Sequence, residues 1–298
     1  MTEIYIAAQS AFFASRLRAE LSVRNRRYAA HLGLSMCETY GAMPSVCYQP
    51  SEDGLSHGNF AAESYRAILR TEGWSRRLFK VHTQGRTSLP RSDRRWRELD
   101  SCNSSDALLM NIVCYPETLA QSQVLDFLGV EQGAVPEFGF RAKVPFANGR
   151  SDRTEVDMLL GNLLVEAKLT EFDFQSKAVG VVGGYRDFHE VFDVSNLPRK
   201  GDSYLSYQLI RNVLAAHADQ RSFCVVADAR RPDLREAWYA IMRSVRIVDL
   251  RLRCKMLTWQ ELSEFLPKTL QDFLRDKYGI SAAPLSDYDE ERQLVAGD

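Results

Sequence analysis

The sequence lacks any apolar run near the roughly 18 to 20 residues that a bilayer span requires, so no membrane-crossing segment is expected. Its first residues, MTEIYIAAQSAFFASRLRAE, carry no basic stretch ahead of the apolar one, and no secretory leader is expected either. The six cysteines (Cys37, Cys47, Cys102, Cys114, Cys224, Cys254) form no CxxC pair, and no histidine stands at zinc-ligand spacing from them. That excludes a zinc-ribbon or disulfide scaffold and leaves reduced thiols in a cytoplasmic protein as the expectation. Each of the five histidines stands alone, and neither an internal repeat nor a low-complexity tract is present.

What remains is an ordinary globular composition, 45% hydrophobic and 26% charged over 298 residues, enough to bury a substantial core. The net charge of −1 hides an asymmetry. Residues 1–100 hold 15 Lys/Arg against 10 Asp/Glu, a net of +5, which leaves −6 for the remainder. Much of the excess is arginine in RTEGWSRRLFK and GRTSLPRSDRRWRELD, among them Arg76, Arg77, Arg86, Arg91, Arg94, Arg95 and Arg97, mixed with Trp74 and Trp96. Such a cluster either meets phosphates and bases or forms an ion-paired surface of its own.

The apolar spacing of AFFASRLRAELSVRNRRYAAHLGL and NFAAESYRAILRTEGW predicts a mostly helical region over 1–100, with GAMPSVCYQPSEDGLSHGN between them as loop. A boundary near residue 100 separates it from a second region, 101–298. There SSDALLMNIVC reads as a helix capped by Ser104 or Ser105, and PETLAQSQVLDFLGV as a helix with Pro116 in its first turn. EFGFRAKVPF reads as a strand. After it the order is strand, strand, helix (SYLSYQLIRNVLAAHA), strand (SFCVVADA), helix (RPDLREAWYAIMRSV), then a strand passing into a helix that Thr258 and Glu261 cap. The class is α/β, a mixed central sheet flanked by helices.

TEVDMLLGNLLVEAKLTE is the most informative segment. Gly161-Asn162 between two apolar runs suits a type II′ hairpin turn. Counted outward from it, Asp157 faces Glu166 at a position where Cα atoms approach to about 4.5 Å, and Glu155 faces Lys168. One face (Val156, Met158, Leu160, Leu163, Val165, Ala167, Leu169) is wholly apolar, and the charges are confined to the other. Opposed like charges destabilise a strand pair. Either a divalent cation bridges the two carboxylates, for which few hard oxygen donors suit Mg²⁺, or the charges form an ion-pair ladder on a solvated face. With a cation, Lys168 would orient or deprotonate a water and stabilise developing negative charge.

Asp157, eight intervening residues and then Glu166-Ala167-Lys168 on the next strand resemble the signature of the PD-(D/E)XK nuclease superfamily, and the elements over about 101–266 are similar to its αβββαβ restriction-endonuclease-like core. The resemblance implies metal-dependent hydrolysis of DNA phosphodiesters, in restriction, phage defence or repair. It makes Asp157 and Glu166 metal ligands with the Ala167 carbonyl as a further one, Lys168 the catalytic lysine, and Mg²⁺ the cofactor, with Mn²⁺ as a substitute. Gln208 on the following helix takes a supporting catalytic role. Arg211 on the same helix face, with Arg94, Arg95 and Arg97, is expected to meet DNA. Val156 stands where the family has proline, and Asn212 where one helicase-nuclease branch has tyrosine. Glu117 and Glu171 are the further acids considered. A homodimer is expected if both strands are cut. The alternative is a module that binds nucleic acid or regulates, with a nuclease-like fold and no catalysis.

Overall fold

The computed structural model describes residues 2–39, 43–80 and 97–282, with side chains from residue 10 onward. Among these residues no helix is long and apolar enough to cross a membrane. The chain opens with a long helix, α1 (Thr2–Leu32), whose Ala14, Leu17, Leu21 and Ala29 are buried along one side. Part of the Gly- and Pro-rich stretch expected to be loop, β2 (Val46–Tyr48), instead pairs as a strand with β1 (Met36–Glu38) just before that stretch, and Val46, Cys47 and Tyr48 bury their side chains. Helix α2 (Ala62–Arg70) follows.

Helix α3 (Ser105–Val113) starts where Ser104 accepts the amide of Ala107, as a capping serine should. The next helix begins later than Pro116 suggests: residues 118–120 form a single 3₁₀ turn, and α4 runs Ser122–Leu128 to a left-handed Gly129. Then come β3 (Pro136–Arg141), β4 (Glu155–Leu160), β5 (Leu163–Lys168), α5 (Tyr207–Ala218), β6 (Ser222–Ala227), α6 (Pro232–Met242), β7 (Cys254–Thr258) and α7 (Lys268–Tyr278). Thr258 and Glu261 form the expected capping box on the short helix between the last two.

The five strands make one mixed sheet in the order β7-β6-β5-β4-β3. β3, β4 and β5 are antiparallel, whereas β5, β6 and β7 are parallel and joined by segments containing α5 and α6. A parallel strand must be covered on both faces, and all six residues of β5 are buried. Leu209, Ile210 and Val213 of α5 and Leu234 and Ile241 of α6 pack on one face; Leu17 and Leu21 of α1, Leu108 and Ile112 of α3, and Leu270 and Leu274 of α7 pack on the other. Side chains from before residue 100 thus share a core with the sheet.

The join of α1 to α7 holds an unusual charge. Lys277 is fully buried. Its Nζ lies 2.7 Å from Asn25 Oδ1, 3.0 Å from the Gly58 carbonyl and 3.9 Å from the centroid of the Tyr48 ring. Burial lowers this ammonium to about 7, although the ring and the two oxygens favour the charged form. Because the unfolded chain keeps that proton to about pH 10.4, it binds more protons than the folded chain above pH 7, and stability should rise with pH across that window. Denaturant titrations of the wild type and Lys277→Met should therefore diverge by at most ~2 kcal/mol between pH 7 and 9, the wild type gaining relative to the variant. A difference that stays constant with pH would contradict the assignment.

Candidate functional site

The site is built where the sheet forks. The turn at Gly161-Asn162 has positive φ only at its first residue, as a type II′ turn requires. It pairs Leu160 with Leu163, Leu159 with Leu164 and Met158 with Val165, the register expected from the sequence. The ladder ends there. Beyond it the amide of Ala167 donates to Asp157 Oδ2 at 2.8 Å, so a side chain takes the donor that a continued ladder would use. β4 stays with β3 as far as the Glu155–Arg141 pair, and β5 stays with β6 as far as Lys168–Ala227. Asp157 ends up on one prong, and Glu166 and Lys168 on the other.

The first prong also turns over. Phe138 and Met158 join the core under α3, while Phe140 and Val156, two residues on in each strand, join the core under α5. Gly139 between them has φ +69°, and a Cβ there would lie 2.4 Å from Arg77 Nη1. Both its conformation and its space demand glycine.

On the second prong Glu166 and Lys168 are only 3% and 5% exposed, which excludes a ladder on a solvated face. Lys168 Nζ donates to Glu166 Oε1 at 2.8 Å and stands 5.5 Å from the Phe174 ring centroid. The second Glu166 oxygen accepts Asn212 Nδ2 of α5 at 3.0 Å. Glu155, expected opposite Lys168, pairs instead with Arg77 at 2.6 Å. The strand end is pinned by Trp259 Nε1 on the Lys168 carbonyl at 2.9 Å. In the loop beyond it, buried Arg231 donates to the carbonyls of Leu169, Glu171 and Phe172 while paired with Asp233. Glu171 folds back onto the Leu169 amide at 2.7 Å and accepts the Ser105 hydroxyl.

The charges are uneven. Burial, then the neighbouring carboxylates of Glu166 and Asp106, push the Asp157 carboxyl well above the usual range, and neither Lys168 nor the Ala167 amide offsets this. Burial works to lower the Lys168 ammonium, but Glu166, Glu171 and Asp157 outweigh it and hold it raised. The neighbouring carboxylates thus favour the charged form of Lys168. Asp106, at the start of α3, carries its own cations, Arg77 at 2.8 Å and Lys80 at 2.9 Å, which hold its carboxyl low against the effect of burial.

Among the residues expected from the sequence, Asp157, Glu166, Ala167 and Lys168 meet at the fork. Gln208 lies in the first turn of α5, its backbone N–H donating to the Phe174 carbonyl and its side-chain Oε1 buried without a partner. Arg211 is not on the surface. It is 2% exposed, inside the protein, and binds the Thr154 carbonyl and Asn212 Oδ1, because the Ala142 and Thr154 carbonyls and Asp152 cover that side of the helix. Arg97 is half-buried, its guanidinium 4.2 Å from the Phe79 ring centroid; Arg94 and Arg95 lie outside the described residues. Glu117 is exposed in the turn before α4, so the acid reaching the site's neighbourhood from a helix is Asp106 of α3. Asn212 was legible only as the residue one turn after Gln208. Arg231 and Asp106 gave no pattern at all.

Among the described residues no group of three or more His, Cys, Asp or Glu side chains is gathered to hold a metal. The donors here are two carboxylates and the Ala167 carbonyl, a sparse oxygen set of the kind Mg²⁺ accepts because it keeps several waters. A carboxyl at Asp157 that burial and its acidic neighbours push up, with no cation of its own to offset them, and an unpartnered oxygen on Gln208 fit such an ion.

A forked mixed sheet with two acids and a lysine at the fork defines a restriction-endonuclease-like chain. A family model described as restriction endonuclease associating with ARP matches residues 26–279, and the chain belongs to that family. The match begins well before residue 100. No curated protein and no solved structure matches the chain.

Asp157→Asn keeps an acceptor for the Ala167 amide and removes an ionisable group whose charged form the site disfavours. In EDTA at pH 8 this variant should be more stable than the wild type by about 1–2 kcal/mol in a denaturant titration. A less stable variant would show that the charge is already balanced.

Proposed function

We propose that the chain is a PD-(D/E)XK nuclease that hydrolyses DNA phosphodiesters with Mg²⁺, for which Mn²⁺ substitutes. The observation that carries this reading is the meeting of Asp157, Glu166 and Lys168 at one fork, with the Lys168 ammonium on Glu166 and the bond from the Ala167 amide to Asp157 drawing the two prongs' acids to the same level. Asp157, Glu166 and the Ala167 carbonyl would hold the ion. When bound, it supplies a polarised phosphoryl oxygen and a water of lowered pKa. The rest falls to the chain's own groups. Lys168, held protonated, stabilises the negative charge that develops on the phosphoryl oxygens. Gln208, with a free amide oxygen, orients a water or a substrate hydrogen-bond donor.

Phosphate attraction has a surface to work from. Arg153 is exposed at the base of the Asp157 prong, and Lys177, Arg199 and Lys200 are exposed on a small three-stranded sheet whose Lys177 lies 5.6 Å from the Tyr207 ring centroid, next to Gln208. The arginines of 86–95, outside the described residues, are further candidates for phosphate in our reading. The residues flanking that run are joined, with the Glu98 amide on the Lys80 carbonyl at 2.9 Å, and Lys80 also holds Asp106. Cutting both strands would take two copies of a chain with one such centre.

Incubation with circular, linear and single-stranded DNA plus Mg²⁺ tests the activity and its polarity. Asp157→Ala, Glu166→Ala and Lys168→Met should each reduce cleavage by at least about 10²-fold, as loss of a charge-stabilising group does, with the folded structure kept by circular dichroism. Undiminished turnover in all three would refute the reading. Cleavage by none of the proteins, with no calorimetric binding of Mg²⁺ or Mn²⁺ to the wild type, would favour a non-catalytic module.

A further inference from the structure

The two prongs of the fork are not held apart by the sheet, since the ladder between them has ended. A pair of adjacent side chains on α5 spans the gap. Arg211 Nη2 donates to the carbonyl of Thr154, at the root of the Asp157 prong, and stands 3.4 Å from that of Ala142. Its Nη1 donates to Asn212 Oδ1 at 2.8 Å. That bond fixes which way the amide points, so Asn212 Nδ2 must face the other prong, where it donates to Glu166 Oε2 at 3.0 Å. The guanidinium is braced from behind by Asp152, 3.7 Å from Arg211 Nε, and Asp152 is itself held by the Tyr185 hydroxyl at 2.6 Å and the Tyr207 hydroxyl at 3.1 Å. Arg211 and Asn212 are 2% and 1% exposed.

We propose that Arg211 and Asn212 form a strut across the fork that sets the orientation of the Glu166 carboxylate and its separation from Asp157, making both of them positioning residues for the ion. This rests on the nuclease reading above. A buried arginine usually serves its nearest acid, but here only one edge of the guanidinium faces Asp152, while the others bind the first prong and, through Asn212, the second. An exposed phosphate-binding arginine would touch none of these. Since the strut acts on carboxylates and not on DNA, its loss should lower kcat and ion affinity while leaving KM for DNA nearly unchanged.

The test is a double-mutant cycle of Arg211→Met, Asn212→Ala and the pair, with three readouts: Mn²⁺ affinity by calorimetry without substrate, kcat and KM on DNA, and the Glu166 carboxylate position in crystal structures. Each single variant should weaken Mn²⁺ binding about tenfold or more, the range for groups that orient metal ligands. The double variant should be no worse than the weaker single one, because both act through one path. Glu166 should turn away from its place in each. Mn²⁺ affinity within about twofold of wild type in both singles, or losses that multiply in the double, would overturn the strut. Should Arg211→Met not fold, Asn212→Ala decides alone. A wild type that neither binds Mn²⁺ nor cuts DNA would instead defeat the nuclease reading, and the strut would then stand or fall on whether Glu166 moves.

Discussion

One hydrogen bond organises the site: the Asp157 carboxylate accepts the Ala167 amide, which a continued β4-β5 ladder would have used. A carboxylate is a stronger acceptor than a carbonyl. In taking that donor it ends the pairing of the two strands and opens the sheet at the level where the acids lie. Each prong stays paired on its outer side, β4 with β3 and β5 with β6. Two carboxylates and an ammonium are thereby held close, Glu166 and Lys168 buried and Asp157 half-buried.

Holding them there requires support from well outside the hairpin. Trp259 and Arg231 fix the exit of β5 from two separate segments late in the chain. Arg77 and Lys80, from before residue 100, neutralise Asp106 and Glu155 beside Asp157. These cations are bound by acids in the protein, so part of the early basic excess serves an internal ion-pair network and not a partner. The network leaves the Asp157 carboxyl without a cation of its own, and burial with its acidic neighbours pushes it up.

The alternation of TEVDMLLGNLLVEAK and its Gly-Asn turn were enough to obtain the register, because a one-residue slip would bury the wrong face. The later helices and strands followed from apolar periods and caps such as Ser104 and Thr258. Where reading failed, the cause was an interaction between distant residues. Val46–Tyr48 pairs as a strand because Met36–Glu38 is there to pair with. Arg211 looks like a surface cation on one helix, but it is internal because the Thr154 carbonyl and Asp152 lie beneath it.

The sequence by itself determined the hairpin, the identity of the two acids and the lysine, and the α/β class, since each is a matter of local spacing and side-chain chemistry. Only the tertiary structure decided that the strands part at Asp157, that Asp106 and not Glu117 comes near, and that Asn212 with Arg211 spans the opening. Those outcomes depend on which carbonyls and charges are brought together across the sheet and its covering helices, and no periodicity along one chain encodes that.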